Sequence, residues 1–224
     1  MSLLTGIQAI TFDAGGTLIL PWPSVGHVYA EVAARHGFTH LSAEKLDRQF
    51  TAAWRKLKNF NYTREEWAAL VDQTFAGMPG PPPSRTFFPE VYDRFAGPGA
   101  WRIFDDVLPA LDALAAAGIT LAVISNWDER LRPLLQQLGL AKYFETVVVS
   151  CEVGFPKPSP VIFEHAARRL GLSPDLILHV GDSPETDVRG AKSAGFHALL
   201  LDRGKERNSP EQINSLRDLT AGGA

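Results

Sequence analysis

From about residue 119 to residue 201 the chain alternates short aliphatic runs with segments long enough to be helices. The runs "ITLAVI" at 119–124, "TVVVS" at 146–150, "LILHV" at 176–180 and "HALLL" at 197–201 carry apolar residues at consecutive positions, without polar alternation. A strand of that kind needs cover on both faces, a condition met by a parallel sheet between two layers of helices. A fifth such run, "IQAITF" at 7–12, stands apart near the N-terminus. Helices are expected over about 106–117, 128–139, 159–170 and 185–194. Ser159 and Pro160 supply an N-cap and a first helical residue, Gly118 and Gly195 supply stops, and Pro133 confines its helix to residues after Arg130. Strands joined by helices in this way imply right-handed crossovers and a doubly wound α/β sheet.

Residues 20–100 break the alternation. They hold no convincing strand and three helical stretches, about 24–36, 42–58 and 63–76, the last opening on a capping box of Thr63 and Glu66. The expected organisation is a core domain of residues 1–18 and 101–224 with a helical domain of residues 19–100 inserted into it. "GMPGPPPSR" at 77–85 reads as a stiff connection, and the polar tail from Arg203 as one weak helical pattern that frays at its end. Apolar residues make up 45% of the chain, enough for a full core, and a net charge of -3 gives no reason to expect nucleic acid or an anionic membrane as partner. One cysteine, Cys151, rules out an intrachain disulfide, and as a small residue after a strand it is expected to be buried. The N-terminus lacks the features of a signal peptide, and no apolar run approaches the ~18 residues that span a bilayer, so a cytoplasmic location is expected.

In an open parallel sheet, ligands bind beyond the carboxyl ends of the strands. The first strand runs into Asp13, in "ITFDAGGTLIL", and the second into Ser125 and Asn126, in "AVISNWD". The third leads to Lys157, in "CEVGFPKPSP", and the fourth to Asp182 and Asp187, in "HVGDSPETD". Taken singly, these are turn formers, helix caps and solvated charges. At four consecutive strand ends of one sheet, they form a candidate site for charged-ligand chemistry.

In this order, "FDAGGTL", "ISN", "KPSPVIF" and "GDSPETDVRGAKSAG" resemble the four signature motifs of the haloacid dehalogenase superfamily of hydrolases. The resemblance covers about residues 1–18 and 101–203, and the helical insert is similar to the C1-type cap of that superfamily. It implies a Rossmann-like core with an inserted α-helical cap domain, and a Mg²⁺-dependent phosphatase acting on a small phosphorylated metabolite. Asp13 would attack phosphorus and form an aspartyl-phosphate. Mg²⁺ would be held by the Asp13 carboxylate, the backbone carbonyl of Gly15 and Asp182, with Asp187 as a direct or nearby partner. Ser125, Asn126 and Lys157 would bind the phosphoryl group, with backbone N–H groups of Gly16 and Thr17 completing the cradle.

Phosphatases of this superfamily usually carry a second aspartate two residues after the nucleophile, as general acid and then base. This chain has Gly15 there. General acid–base catalysis contributes ~10²–10⁴-fold, so alkyl phosphates should be poor substrates and leaving groups that depart unprotonated should suffer less. On sequence alone, an aspartate at position 15 would raise turnover of alkyl phosphates more than that of p-nitrophenyl phosphate. His27, Glu31 and His36 in the insert are candidate substitutes for the missing group. Dehalogenase chemistry, phosphonate hydrolysis through Lys45, Lys56 or Lys58, and a phosphate- and Mg²⁺-binding module with weakened turnover are the alternatives.

Overall fold

Six parallel strands organise the unit made of Met1–Ile19 and Ile103–Ala224, while Leu20–Arg102 forms a second unit. The structure, a computed structural model, describes residues 3–58, 60–204 and 209–220. The chain runs through β1 (Ala9–Phe12), β2 (Ile19–Pro21), α1 (Val25–Arg35), α2 (Ala43–Trp54), α3 (Arg64–Thr74), α4 (Phe88–Ala96) and β3 (Trp101–Ile103). It continues through α5 (Val107–Ala116), β4 (Thr120–Ser125), α6 (Leu131–Gln137), β5 (Thr146–Val149), α7 (Ser150–Val153) and α8 (Pro160–Leu170). There follow β6 (Ile177–Gly181), a π-helical turn (Pro184–Arg189), α9 (Gly190–Ser193), β7 (His197–Leu201) and β8 (Gln212–Ile213).

Each of the five aliphatic runs is a strand, and the sheet order β5-β4-β1-β6-β7-β8 is parallel throughout. The chain crosses the sheet one way through α5 and α6 and the other way through α8 and α9, so right-handed crossovers place the pairs on opposite faces. On one face Ile162, Phe163 and Ala166 of α8 pack with Ala9, Ile124, Val148 and Ile177 of four strands. Alternate strand residues such as Ile10, Phe12, Leu121 and Val123 are equally buried and, by the period of two, serve the other face. β1 lies between β4 and β6, where the direction of winding reverses, and such a switch point opens a crevice beyond the strand ends.

Local signals account for most boundaries. The Ser159 hydroxyl accepts from the Val161 N–H ahead of α8, and Thr63 and Glu66 form the expected capping box of α3. α6 starts at Leu131, which puts Pro133 in its first turn, where no intrahelical donor is lost. Several elements differ from expectation. α2 stops at Trp54, so Lys56 and Lys58 lie beyond it. The segment 185–194 begins as a π-turn because the Asp187 and Val188 N–H groups both donate to the Ser183 carbonyl. β2 and β3 pair as a two-stranded ribbon where the chain leaves and re-enters the sheet unit. The end of the polar tail, residues 221–224, lies outside the described residues.

The second unit is a helical cluster around Tyr29, Val32, Leu46, Phe75 and Phe87. Gly26 lets α1 and α2 touch, since a Cβ there would lie 2.0 Å from the Ala43 carbonyl oxygen. Asp47 of α2 completes the contact by accepting from the Gly26 N–H and the Ser24 hydroxyl, each at 2.6 Å. Among the described residues no helix is long and apolar enough to cross a membrane.

The tail after β7 closes the sheet unit through one partly buried ion pair. The Arg203 guanidinium donates to Asp106 Oδ2 at 2.5 Å and to the Thr17 carbonyl at 2.8 Å, and lies 4.1 Å over the Phe104 ring. The Leu216 N–H and the Ser215 hydroxyl donate to the same Asp106 oxygen. Burial alone would raise the Asp106 pKa, but these donors hold it below its ordinary value of 3.8. A depressed carboxylate pKa contributes stability above the unfolded value and loses it as pH falls through the folded value. Arg203→Met should therefore cost about 1–3 kcal/mol at neutral pH. In denaturant titrations, wild type and variant should converge below the unfolded value of 3.8, and a difference independent of pH would contradict this role for the pair.

Candidate active site

The register of three neighbouring strands builds the site. Phe12 of β1 stands opposite Val123 of β4 and Val180 of β6, so these strands end nearly level. The Asp13 N–H donates to the Val180 carbonyl at 3.0 Å, which fixes Asp13 at the strand mouth beside Ser125, the last residue of β4. The Ser125 hydroxyl donates to Asp13 Oδ1 at 3.0 Å. The Lys157 ammonium donates to the same oxygen at 2.7 Å and to Asp187 Oδ1 at 2.5 Å. Among the described residues no hydrogen bond engages Asp13 Oδ2.

Asn126 and Gly16 are placed differently from the expected phosphate cradle. The Asn126 amide donates to the Lys157 carbonyl at 2.9 Å and accepts from the Lys157 N–H at 2.7 Å. Its side chain thus holds the lysine loop in position. The Gly16 N–H donates to the Ile19 carbonyl at 2.8 Å, closing its own turn. Thr17 is fully buried, its hydroxyl has no hydrogen-bond partner among the described residues, and its carbonyl serves Arg203.

Two glycines bring the carboxylates close. Gly16 has φ +85° and a Cβ there would lie 2.4 Å from Asp182 Oδ2, so both backbone and space demand glycine. A Cβ on Gly181 would lie 2.2 Å from Asp187 Cγ. Asp13, Asp182 and Asp187 each offer an oxygen, and these lie within 4.8 Å of one another. Clustered carboxylate oxygens without nitrogen or sulfur donors suit a hard divalent cation.

The charges at the site are strongly coupled. Burial works against the Lys157 ammonium, but Asp13 and Asp187 outweigh it and hold its pKa well above the ordinary lysine range. Burial would raise Asp187, yet Lys157 and the His179 hydrogen bond hold it well below the usual carboxylate range. Asp13 is raised, because burial and the Asp187 charge exceed the opposing pull of Lys157. Asp182 sits at the open side, where desolvation by the walls and the charges of Asp13 and Asp187 push it up to about 7.

His179 lies fully buried behind this pair. Burial lowers its pKa and keeps the ring neutral. A carboxylate only accepts, so Nε2 carries the proton and donates to Asp187 Oδ1 at 3.2 Å, while Nδ1 accepts from the Thr11 hydroxyl at 2.9 Å. Cys151 departs from expectation: it is exposed, and its thiol is pushed up to about 11 by partial desolvation and by Glu152, Glu129 and Asp128. In the second unit, His27 contacts Ser24 at 2.8 Å, Glu31 pairs with Arg35 at 2.9 Å, and His36 meets Glu90 at 2.6 Å. Tyr29 packs in that unit's core, and Trp54, Tyr62 and Trp67 form a ring cluster with Phe60.

Sequence reasoning missed Trp127, which follows Asn126. A Cβ built on Gly15 would lie 3.1 Å from Trp127 Cζ3, so the indole occupies the space into which a side chain at position 15 would project. No run of residues signals this, since the two positions lie on different strand-end loops.

The sequence profile of the haloacid dehalogenase-like hydrolases matches residues 7–195. The chain is 33% identical over 205 residues to haloacid dehalogenase-like hydrolase domain-containing protein 3 of Mus musculus, covering 87% of this chain and 82% of that one. It is 31% identical over 215 residues to glyceraldehyde 3-phosphate phosphatase of Methanopyrus kandleri, covering 89% and 85%. Among solved structures, a HAD phosphatase from Thermococcus onnurineus superposes with a TM-score of 0.69 at 25% identity, over 95% of this chain and 96% of that one.

The ion cluster yields a direct test of its energetics. Removing one member of a buried pair leaves uncompensated charge and costs about 3–5 kcal/mol. Lys157→Met should lose stability of that order at pH 8 and recover part of it in acid, where the carboxylates take up protons. Denaturant midpoints across pH measure this, and a loss that stays constant with pH would contradict the charge argument.

Proposed function

Because the chain belongs to the haloacid dehalogenase-like hydrolases, we propose that it is a Mg²⁺-dependent phosphatase that hydrolyses a small phosphorylated metabolite through a phosphoaspartyl intermediate on Asp13. The observation that carries this reading is the bonding of Asp13: Ser125 and Lys157 both donate to Oδ1, which orients the carboxylate and leaves Oδ2 for attack. Lys157 also opposes protonation of Asp13, as a nucleophile requires.

Asp13 Oδ2 attacks phosphorus, the bond to the leaving oxygen breaks, and that oxygen departs with the electron pair. Ser125 and Lys157, once released from Oδ1, donate to the phosphoryl oxygens, with the backbone N–H of Thr17 as a further donor. Water then attacks phosphorus, the Asp13–phosphorus bond breaks, and the carboxylate returns with inorganic phosphate. Asp13, the Gly15 carbonyl, Asp182 and Asp187 would hold Mg²⁺, which when bound offsets the carboxylate charge and that of the incoming phosphate. Asn126 positions Lys157 in this scheme. The helical unit Leu20–Arg102 would serve as the cap that selects substrate. The phosphatase names among the relatives support the reading. The glycine at position 15 favours a second one, a phosphate- and Mg²⁺-binding module in which turnover is weak, because no carboxylic acid stands two residues after the nucleophile.

Rapid mixing with p-nitrophenyl phosphate separates the two. A Mg²⁺-dependent burst of about one equivalent, absent in Asp13→Asn, is expected for the enzyme. Burst release that survives in Asp13→Asn would remove the nucleophile from Asp13, and no release from wild type would favour the binding module. Metal affinity should depend on pH in a definite sense. A cation needs the Asp182 carboxylate ionised, and its pKa stands at about 7. Mg²⁺ affinity, read from thermal shifts, should therefore rise about tenfold between pH 6 and pH 8. Unchanged affinity over that range would exclude Asp182 as a ligand.

A further inference from the structure

We propose that Trp127 determines the leaving-group specificity of this site, forming an aromatic wall where the second aspartate of related phosphatases would stand. The proposal rests on the phosphatase reading of Asp13 and extends it to the substrate class. Three observations carry it. The Cβ that any residue other than glycine would place at position 15 lies 3.1 Å from Trp127 Cζ3 and 3.8 Å from Cη2, so the indole and a general acid at position 15 compete for one space. Gly15 shows no left-handed backbone conformation, unlike Gly16, so the glycine answers to this crowding and not to its turn. The backbone that carries the indole is also anchored. The Trp127 N–H donates to the Ser150 hydroxyl at 3.1 Å, that hydroxyl donates back to the Trp127 carbonyl at 3.1 Å, and the Cys151 N–H donates to the same carbonyl at 3.2 Å. The next residue, Asp128, is fully buried and held in a two-pronged contact with Arg130.

The half-buried indole beside Gly15, which is itself two residues along the chain from the nucleophile, cannot protonate an alkoxide, but it presents a flat apolar face to a planar leaving group. The substrates that fit are phosphate esters whose leaving oxygen is attached to an aromatic ring. In the first step Asp13 Oδ2 forms a bond to phosphorus, the phosphorus–oxygen bond breaks, and the aryl oxide leaves with the electron pair and without a proton. Water then takes its place on phosphorus, regenerates the Asp13 carboxylate and yields dihydrogen phosphate, and the aryl oxide takes its proton from solvent.

Steady-state kinetics of wild type, Trp127→Ala, Trp127→Phe, Gly15→Asp and the double variant Gly15→Asp/Trp127→Ala test this with phenyl phosphate, acetyl phosphate and glycerol 3-phosphate. Aromatic pairs are worth enough that Trp127→Ala should raise KM for phenyl phosphate by about 3–10-fold, with KM for acetyl phosphate unchanged and Trp127→Phe retaining most of the preference. Gly15→Asp alone should gain little on glycerol 3-phosphate, whereas the double variant should exceed Trp127→Ala by at least about tenfold, as room for the acid is restored. Equal KM changes for phenyl and acetyl phosphate, or a full gain from Gly15→Asp alone, would overturn the proposal. The underlying reading is tested separately by trapping phosphate from labelled acetyl phosphate on wild-type Asp13. Should no phosphoenzyme form, the wall is still read by calorimetry with phenylphosphonate and methylphosphonate. A phenyl preference lost in Trp127→Ala sustains it, and no preference in wild type refutes it.

Discussion

Among the described residues Lys157 is the one cation buried among the carboxylates at the mouth of the sheet, and the arrangement around it depends on its charge. Carboxylate oxygens within 4.8 Å of one another repel by roughly 3–4 kcal/mol per ionised pair at an effective dielectric of about 20. A single ammonium shared by Asp13 and Asp187 offsets that repulsion and lets both be buried. Several features otherwise unrelated serve this contact. Asn126 spends both ends of its amide on the Lys157 backbone. The π-turn after β6 brings Asp187 back against Gly181, where no side chain could be tolerated. His179, in the middle of a strand, gives Asp187 a donor besides Lys157 and the Ser183 N–H, and is itself tied to Thr11 of the neighbouring strand.

The parts of the fold that were legible in the sequence are those that local rules decide. Consecutive aliphatic residues such as "VVV" of 147–149 cannot serve a one-sided strand, and Ser159-Pro160 and Thr63 with Glu66 satisfy orphan donors of their own helices. Elements decided by tertiary contact were not legible. α4 carries Pro89 in its first turn and ends before Pro98, in a segment whose proline content argues against a helix, and it forms because Phe88, Val91 and Tyr92 fill the core of its unit. β8 is two residues long and exists only as a partner of β7.

The candidate site divides in the same way. Strand ends announce Asp13, Ser125, Lys157, Asp182 and Asp187, and the structure brings all five together. Which atoms they spend on one another is a property of the assembled loops. Gly16 and Asn126 look like ligand donors in the sequence because their residue types suit that task, yet the Gly16 N–H and the Asn126 amide are engaged by Ile19 and Lys157. Trp127 carries no signal at all until Gly15 is seen beneath it. The glycine that reads as a loss in the sequence is, in the fold, one half of a packing contact.

The most direct measurement is a crystal structure of the protein grown with Mg²⁺ and beryllium fluoride, which forms a tetrahedral adduct on a carboxylate nucleophile. A trifluoroberyllate on Asp13 Oδ2, with Lys157 and Ser125 donating to its fluorides and a cation among Asp13, Asp182 and Asp187, is the expected result. Beryllium bound to Asp182 or Asp187, or absent from Asp13 while the cation site is filled, would contradict the assignment of Asp13 as nucleophile.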